Sequence, residues 1–326
     1  MKTYPRVDIS ILLFKTKPYL DDLIPSLLKI DYPKDKLVIW VINNESPDDS
    51  YEEFQKRCSK YSHFRFLNSG VNLGFAEGHN VTLRVGEGKY AFLLNPDGEI
   101  FPDTIKLMVE RMEKNPKVGL ADGIQHPTVH HKGFDPKTYE TSWCSGACMM
   151  VRKLALKDTG LFDGKFFMYS EDVDLSWRMW SKGWKCITIP DAKVLHYLEG
   201  HKKQKHKKGQ ISLNAYYRSL RNGLFLRYIY GNTFDYLGFL GAIVGTLSLK
   251  ERIFLLIKIL LTVVLLPIKN VKGKKLDRFR LNPGDKKSLT FRAIVEQFKY
   301  LPHLKIRRKL QSKNQKNQFV AQWKKL

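Results

Sequence analysis

The sequence predicts an α/β fold with a mostly parallel central sheet and helices on both faces, followed by a mainly helical, basic C-terminal region. Two observations predict it: apolar runs of strand length alternate with helix-spaced apolar residues, and positive charge is concentrated at one end of the chain. Residues 1–196 carry 27 Lys and Arg against 26 Asp and Glu, whereas residues 197–326 carry 29 against 6. We therefore predict two domains, at residues 1–210 and 211–326.

The elements of the first domain follow from its apolar pattern. Runs rich in Val, Ile, Leu or Phe predict four strands, at residues 7–14, 37–42, 64–67 and 90–94. Helical spacing predicts one helix over residues 18–30 and another that includes residues 81–85. Parallel sheets built in this way bind ligands beyond the carboxyl ends of their strands, so the residues that follow each strand are the first candidates for a site.

The C-terminal region combines apolar and basic segments. Its apolar stretches, residues 234–249 and 253–268, are shorter than the roughly 20 residues that a spanning helix needs, and Lys258 interrupts the second. Basic clusters at residues 202–208 and 269–275 lie on either side of the pair. We predict two helices that lie in or dip into the inner leaflet of a membrane with anionic lipid. A spanning hairpin and a homo-oligomer interface through these helices are the alternatives.

The cysteines and the N-terminus indicate the compartment. Four cysteines are too few and too scattered for a disulfide framework, and their spacing completes no zinc site. The first ten residues contain no apolar core of signal-peptide length. We expect a cytoplasmic protein that is peripheral or monotopic at the inner face of the cell membrane.

A cluster of carboxylates is the most unusual local feature. Glu171, Asp172 and Asp174 occur within four residues of an otherwise apolar and aromatic run. Acidic residues are favoured at a helix N-terminus, so a solvated helix start is one interpretation. Adjacent like charges can also raise each other's proton affinity, which suits a group that accepts a proton during catalysis.

Two further segments carry polar residues after predicted strands. In the segment 72–80, Gly74 and Gly78 permit close backbone approach before a helix that could bind phosphate, although a capped turn would look the same. In the segment 95–99, carboxylates follow a buried strand and could hold a divalent cation, but Pro-Asp-Gly is also a strong turn signal. His196 ends another apolar run and becomes a candidate ligand only if a carboxylate lies nearby.

Together these motifs resemble the family-two inverting glycosyltransferases, in their bacterial rhamnosyltransferase-like branch. The resemblance covers roughly residues 5–230. The matching segments are Asn43-Asn44-x-Ser46, Asn72-x-Gly74-Phe75-Ala76-x-Gly78-x-Asn80, Asn95-Pro96-Asp97, Ser145-Gly146-Ala147, Gly160-x-Phe162-Asp163, Glu171-Asp172-x-Asp174-Leu175-x-x-Arg178 and His196.

The resemblance implies a GT-A fold, a nucleotide-diphosphate sugar donor and a site on residues 1–210. It implies Asp172 as the general base, with Mn²⁺ or Mg²⁺ held by Asp97 and His196 and with Glu99 as a further candidate ligand. The donor-binding residues that it implies are Asn43, Asn44, Asn72, Gly74, Asn80, Asn95 and Asp97. The residues that it implies for the sugar or acceptor are Trp143, Cys144, Ser145, Gly146, Glu171 and Arg178.

The function that the resemblance implies is transfer of a sugar to a hydroxyl of a lipid-linked or polymeric glycan in cell-surface polysaccharide synthesis. L-rhamnose from dTDP-rhamnose is the expected donor, and UDP-galactofuranose or UDP-N-acetylhexosamine are alternatives. Asn43 stands where many relatives have Asp, and Asn95 replaces the first acid of the usual Asp-x-Asp, which leaves base recognition open. A polyanion- or nucleic-acid-binding protein with a decayed sugar site is the alternative from another class. Because no nucleic-acid motif accompanies the basic region, we expect no nucleic-acid partner.

Overall fold

The computed structural model describes residues 4–127, 132–197 and 213–230. The strands in these ranges are β1 (Val7–Leu13), β2 (Leu37–Asn43), β3 (Phe64–Asn68), β4 (Tyr90–Leu94), β5 (Gly98–Ile100), β6 (Val118–Pro127), β7 (Cys148–Arg152) and β8 (Lys185–His196). The helices are α1 (Leu20–Leu28), α2 (Ser50–Cys58), α3 (Gly74–Val85), α4 (Thr104–Glu113), α5 (Leu156–Thr159), α6 (Glu171–Ser181) and α7 (Leu213–Tyr230). All four predicted strands and both predicted helices are present.

The strands form one eight-stranded sheet in the order β3-β2-β1-β4-β7-β6-β8-β5. From β3 to β4 the neighbouring strands are parallel, and β6 and β8 are also parallel. The β4–β7, β6–β7 and β5–β8 pairs are antiparallel. The predicted parallel sheet is therefore correct for the first half of the fold, whereas the second half is mixed.

Helices cover both faces of this sheet, as predicted. Tyr90, Phe92 and Leu94 of β4 pack into one apolar core, which includes residues of α1, α2 and α4. The alternate residues of the same strand, Ala91 and Leu93, belong to a second core with residues of α3, α5 and α6. Successive side chains of a strand point to opposite faces, so a strand buried on both faces must be apolar throughout. This is why β4 has no polar residue.

The helix α3 begins earlier than the sequence suggests. It starts at Gly74, so most of the 72–80 segment is helical rather than a loop before a helix. Gly74 has a φ of +71°, a backbone conformation that glycine adopts without steric cost. A Cβ at this position would lie 2.6 Å from the ring of Phe167, so both the backbone and the space demand glycine.

Two compact units account for the described residues. One contains the sheet with helices α1 to α6, and the other contains Met168–Ser170 together with α7. None of the helices in the described ranges has the length and apolar character needed to span a bilayer. The predicted domain boundary at residue 210, the segments 234–249 and 253–268, and the basic clusters beside them lie outside the described residues.

Candidate active site

The side chains of Asp97 and His196 meet at one edge of the sheet. The antiparallel pairing of β5 and β8 sets Gly98 opposite His196, which brings the turn before β5 to the end of β8. Asp97 Oδ1 lies 3.2 Å from His196 Nε2, and Asn95 Nδ2 lies 3.2 Å from the same nitrogen. A carboxylate oxygen and an imidazole nitrogen are ligands that suit Mn²⁺. No third His, Cys, Asp or Glu completes a metal cluster in the ranges that the structure covers.

Glu99 does not lie with this pair in the structure, and its role as a further metal ligand stays a prediction. It is paired with Leu195, the neighbour of His196, and therefore lies on the opposite face of the sheet from His196. There the Glu99 carboxylate accepts a hydrogen bond from the Tyr197 hydroxyl.

A buried glutamine of β6 connects His196 to the loop before β7. Gln125 Oε1 lies 2.8 Å from His196 Nδ1, and Gln125 Nε2 donates to Ser145 Oγ at 2.9 Å. Because the amide nitrogen is used by Ser145, the oxygen faces the imidazole and accepts the proton on Nδ1. In this tautomer the lone pair of His196 Nε2 lies beside Asp97 and accepts a hydrogen bond from the Asn95 amide.

A buried ion pair contacts the same loop, the one that precedes β7. Asp122 and Lys132 form a salt bridge with both side chains almost fully buried. Asp122 also accepts from the Ser145 N–H at 2.8 Å and from Thr188 Oγ1 at 2.7 Å, and Lys132 Nζ donates to the Trp143 carbonyl at 2.7 Å. The partners of both charges are thus provided within the fold, which is the condition for burying them without a large cost.

The carboxylate of Asp172 faces this loop. Gly146 N donates to Asp172 Oδ2 at 3.0 Å, and Val173 N donates to Asp172 Oδ1 at 2.8 Å. Since Gly146 follows Ser145, Asp97 is connected to Asp172 by its close contact with His196, by the hydrogen bonds of Gln125 and by one peptide unit. The structure therefore brings the two expected chemical centres to a common loop.

The two carboxyl groups at the start of α6 have raised proton affinities. Burial raises the pKa of Glu171 well above its usual range, and the charge of Asp172 adds to this effect. Burial also raises the pKa of Asp172, against the opposing hydrogen bonds from Gly146 and Val173. Glu171 is 5% exposed, and its Oε2 has no hydrogen-bond partner among the residues that the structure describes.

The expected donor-binding asparagines lie together at the ends of β2 and β3. Asn44 Oδ1 accepts from Leu73 N at 2.8 Å, and Asn44 Nδ2 lies 3.3 Å from Asn72 Oδ1. Asn72 Oδ1 also accepts from Gly74 N at 2.9 Å, while Asn43 Oδ1 accepts from Ser46 N at 2.9 Å. These contacts fix the loops at the carboxyl edge of the sheet, where such folds bind ligands.

Asn80 and the N-terminus of α3 make contacts within the protein. The Asn80 side chain is buried, and its amide group donates to Phe162 O and accepts from Phe162 N. The N–H groups of Phe75 and Ala76 both donate to the Phe167 carbonyl, at 2.6 and 3.3 Å. Asn80 therefore secures the segment at residue 162, and a backbone carbonyl takes the position expected for phosphate.

Arg178 and Cys144, which were expected near the sugar or acceptor, make buried contacts within the fold, and their binding roles stay predictions. Arg178 is buried and donates twice to Asp174, at 2.9 and 2.6 Å, and to the Thr159 carbonyl at 2.6 Å. The Cys144 side chain is fully buried and contacts the Ile187 carbonyl, and burial raises the pKa of its thiol well above the usual value. In contrast, Trp143 is only partly buried, with Lys132 Nζ 5.2 Å from its ring centroid.

Sequence reasoning missed Gln125, Asp122 and Lys132. The signal for the first two was present, because a charge and an amide interrupt the apolar β6 strand, which is buried from Val118 to Gln125. Buried polar groups require partners, so each of these residues indicated an unseen contact. Lys132 lies in a loop, and no local pattern distinguished it.

Residues 8–175, more than half of the chain, match Glycosyl transferase family 2, and residues 131–271 match Glycosyl transferase family group 2. The chain belongs to glycosyl transferase family 2. The expected family is therefore confirmed, and the protein is a glycosyltransferase.

Sequence relatives indicate the branch of the family, and solved structures confirm the fold. The glycosyltransferase is 26% identical to the N-acetylglucosaminyl-diphospho-decaprenol L-rhamnosyltransferase of Mycobacterium tuberculosis over 227 residues, which cover 55% of this chain and 72% of the relative. This relative supports the rhamnosyltransferase-like branch. S. aureus TarS 1-349 in complex with UDP-GlcNAc superposes with a TM-score of 0.58 at 14% identity, covering 79% of this chain and 81% of that one. The mannosyltransferase PcManGT from Pyrobaculum calidifontis, in complex with GDP-Man and Mn²⁺, has a TM-score of 0.55 at 16% identity, covering 94% and 87%. These likenesses confirm the GT-A fold.

Proposed function

We propose that this glycosyltransferase moves a sugar from a nucleoside diphosphate to a hydroxyl of a lipid-linked or polymeric glycan, with inversion at the anomeric carbon. The observation that carries the proposal is the connection of Asp97, His196 and Asp172 through Gln125 and the loop before β7. A leaving diphosphate and an attacking hydroxyl need different groups on the two sides of one carbon. Asp97 with His196 on one side and Asp172 on the other, connected by the loop before β7, are the groups that we assign to these two tasks.

In the proposed mechanism Asp172 is the general base. The acceptor oxygen attacks the anomeric carbon as its proton passes to Asp172, and the bond from that carbon to the diphosphate oxygen breaks. Gly146 N and Val173 N hold the two carboxylate oxygens, which fixes the direction from which the base can reach a hydroxyl. A raised pKa improves a carboxylate as a base, provided that it is still ionised at the working pH.

Asp97 and His196 fit a divalent cation in this mechanism. Their facing oxygen and imidazole nitrogen provide two ligands, which leaves coordination positions for the donor's diphosphate. Mn²⁺ or Mg²⁺ bound there would neutralise the negative charge that develops on the leaving diphosphate. PcManGT, whose structure contains GDP-Man and Mn²⁺, supports this part of the proposal. Asn95, whose amide contacts His196, would help to orient that ligand.

The proposed donor is dTDP-rhamnose and the proposed acceptor is a lipid-linked glycan. The N-acetylglucosaminyl-diphospho-decaprenol L-rhamnosyltransferase of Mycobacterium tuberculosis supports L-rhamnose as the sugar and a lipid-linked glycan as the acceptor. The dTDP part of the donor comes from the family resemblance. UDP-N-acetylhexosamine is the second donor candidate, supported by the UDP-GlcNAc complex of TarS. UDP-galactofuranose remains a further candidate from the resemblance. Asn43 and Asn44 are the proposed contacts to the nucleotide.

The proposed location is the inner face of the cell membrane. The support is the charge of residues 197–326, with 29 Lys and Arg against 6 Asp and Glu. Each basic residue close to an anionic surface contributes about 1 kcal/mol to binding. Flotation with vesicles that contain or lack anionic lipid measures this attraction, and binding that ignores both lipid charge and salt would contradict it.

Donor hydrolysis tests the chemistry without a known acceptor. We expect the purified protein with Mn²⁺ to release nucleoside diphosphate slowly from dTDP-rhamnose, and we expect Asp172→Asn and Asp97→Ala to abolish the release. The matched control is Asp191→Asn, because Asp191 is exposed on β8 away from these contacts. Equal rates for all four proteins would show that the assigned site is wrong. A wild-type protein that releases nothing from any nucleotide sugar, yet binds polyanions, would favour the binding-protein alternative.

A further inference from the structure

A strained loop precedes the carboxylates at the start of α6. Phe167, Tyr169 and Ser170 all have positive φ values, of 58°, 73° and 70°. L-residues other than glycine avoid this region because the Cβ atom comes too close to the backbone. Several such residues in succession persist only where their surroundings hold them in place.

The first carbonyl of this 167–170 loop is held by the helix α3. Phe167 O accepts hydrogen bonds from Phe75 N at 2.6 Å and from Ala76 N at 3.3 Å. These donors belong to the first turn of α3 and have no acceptor within their own helix. The start of the loop is therefore fixed.

The next two carbonyls are held by a single side chain of α7. Asn222 Nδ2 donates to Met168 O at 2.8 Å and to Tyr169 O at 2.6 Å, so both of its hydrogens are used. Asn222 Oδ1 accepts from Arg221 Nε at 2.8 Å, which identifies the nitrogen as the atom that faces the loop. Asn222 is only 1% exposed, so its hydrogen bonds to the loop are shielded from solvent.

We propose that Asn222 is a positioning residue for Asp172, because it holds the strained loop in the one conformation that starts α6 at the right place. The inference rests on the proposed function, since it concerns the base of that reaction. The loop is continuous with Glu171 and Asp172, and no glycine within it would allow its backbone to adopt these angles freely. Without the two hydrogen bonds, the loop can relax and shift the first turn of α6.

The proposal predicts a loss of turnover with little change in nucleotide affinity. Asn222 contacts the loop before Asp172, whereas the expected nucleotide contacts are on other segments, at Asn43 and Asn44. A misplacement of about 1 Å in a catalytic group can cost about 100-fold in rate. We therefore expect kcat to fall about 10- to 100-fold in Asn222→Ala, while the Kd of UDP or dTDP with Mn²⁺ stays within about twofold.

The experiment uses the full chain and four variants. Asn222→Asp keeps the shape but removes both donors, and Asn222→Ala removes the whole contact. Ser219→Ala is the matched control, because Ser219 is exposed on the same helix. The double variant Asn222→Ala with Ser170→Gly adds a residue that adopts a φ near +70° at no steric cost, so it should recover part of the lost kcat. Hydrogen exchange of the amides at residues 168–172 is measured for each protein.

Support requires faster exchange at residues 168–172 and a lower kcat in both Asn222 variants, with partial rescue by glycine. An unchanged kcat in a folded Asn222→Asp protein would overturn the proposal. The proposal would also be overturned if nucleotide binding, activity and folding were lost together and Ser170→Gly did not restore them. Asn222 would then stabilise the fold as a whole. If the wild type turns over no nucleotide sugar, the proposed function fails, whereas the exchange of the loop amides still shows whether Asn222 holds the loop.

Discussion

Gln125 should control how well His196 binds a divalent cation. Its Oε1 accepts the Nδ1 proton of His196 at 2.8 Å, and its Nε2 donates to Ser145 Oγ at 2.9 Å. In Gln125→Leu the imidazole loses the partner that fixes its tautomer and ring orientation. In a fraction of the molecules Nε2 then carries the proton or points away from Asp97, and it cannot bind a cation. Loss of such outer partners costs about 10- to 100-fold in metal affinity, or about 1.4 to 2.7 kcal/mol.

The structure also sets the cost to stability and the controls. Gln125→Leu leaves two buried polar atoms without partners, and each costs about 1 to 3 kcal/mol in the free energy of unfolding. Gln125→Glu keeps an acceptor for the Nδ1 proton, so we expect its Mn²⁺ affinity to stay close to that of the wild type. Ser145→Ala removes only the other partner of Gln125 and should have a smaller effect on metal binding.

Calorimetric titration of Mn²⁺ in the presence of UDP or dTDP measures the change directly. Thermal unfolding of the same proteins separates a loss of metal affinity from a loss of folded protein. If a folded Gln125→Leu protein bound Mn²⁺ as tightly as the wild type, the tautomer argument would be refuted. If Gln125→Glu lost as much affinity as Gln125→Leu, the role of the acceptor atom would be refuted.

Three further expectations follow from contacts in the same domain. The pKa values of Glu171 and Asp172 are raised in the fold. As the pH is lowered, the base should therefore become protonated and the rate should fall while the pH is still above about 4, the ordinary pKa of a carboxyl group. The contribution of these groups to the free energy of unfolding should be greatest at low pH and should decline as the pH rises through their folded pKa values. A profile flat to pH 4 would contradict the first part. Asn80→Ala removes two hydrogen bonds to Phe162 and should lower the free energy of unfolding by about 2 to 3 kcal/mol. We expect kcat to be unchanged below the melting temperature. A loss of kcat without a loss of stability would support a role for Asn80 in donor binding. In Gly146→Ala the new Cβ would lie 2.7 Å from the ring of Phe75 on α3, so either this ring or the Gly146 backbone must shift. If the backbone shifts, the N–H that faces Asp172 moves with it, and we expect kcat to fall about 10- to 100-fold. An unchanged kcat would contradict a catalytic role for this N–H.

The sequence by itself determined the first half of the sheet. Strand β4 shows why: both of its faces are buried, so Tyr90 to Leu94 had to be apolar, and such a run is visible in any sequence. The sequence also indicated that the carboxyl edge of the sheet is the place to look for a site, because polar residues directly follow the buried strands there. The family resemblance added the pairing of Asp97 with His196, which the register of β5 on β8 places within contact distance.

Tertiary structure alone decided which polar residues face one another. Arg178 and Asn80 looked like ligand contacts in the sequence, whereas in the structure Arg178 donates to Asp174 and to the Thr159 carbonyl, and Asn80 bonds to the backbone of Phe162. Gln125 and Asn222 looked unremarkable, yet the Gln125 amide joins His196 to Ser145 and the Asn222 amide nitrogen joins α7 to the carbonyls of Met168 and Tyr169, which are far away in the chain. A hydrogen bond depends on direction and on about 3 Å of separation, whereas the sequence pattern specifies only which residues are buried. For that reason the chemistry of the site could be expected from the sequence, and the residues that hold it in place could not.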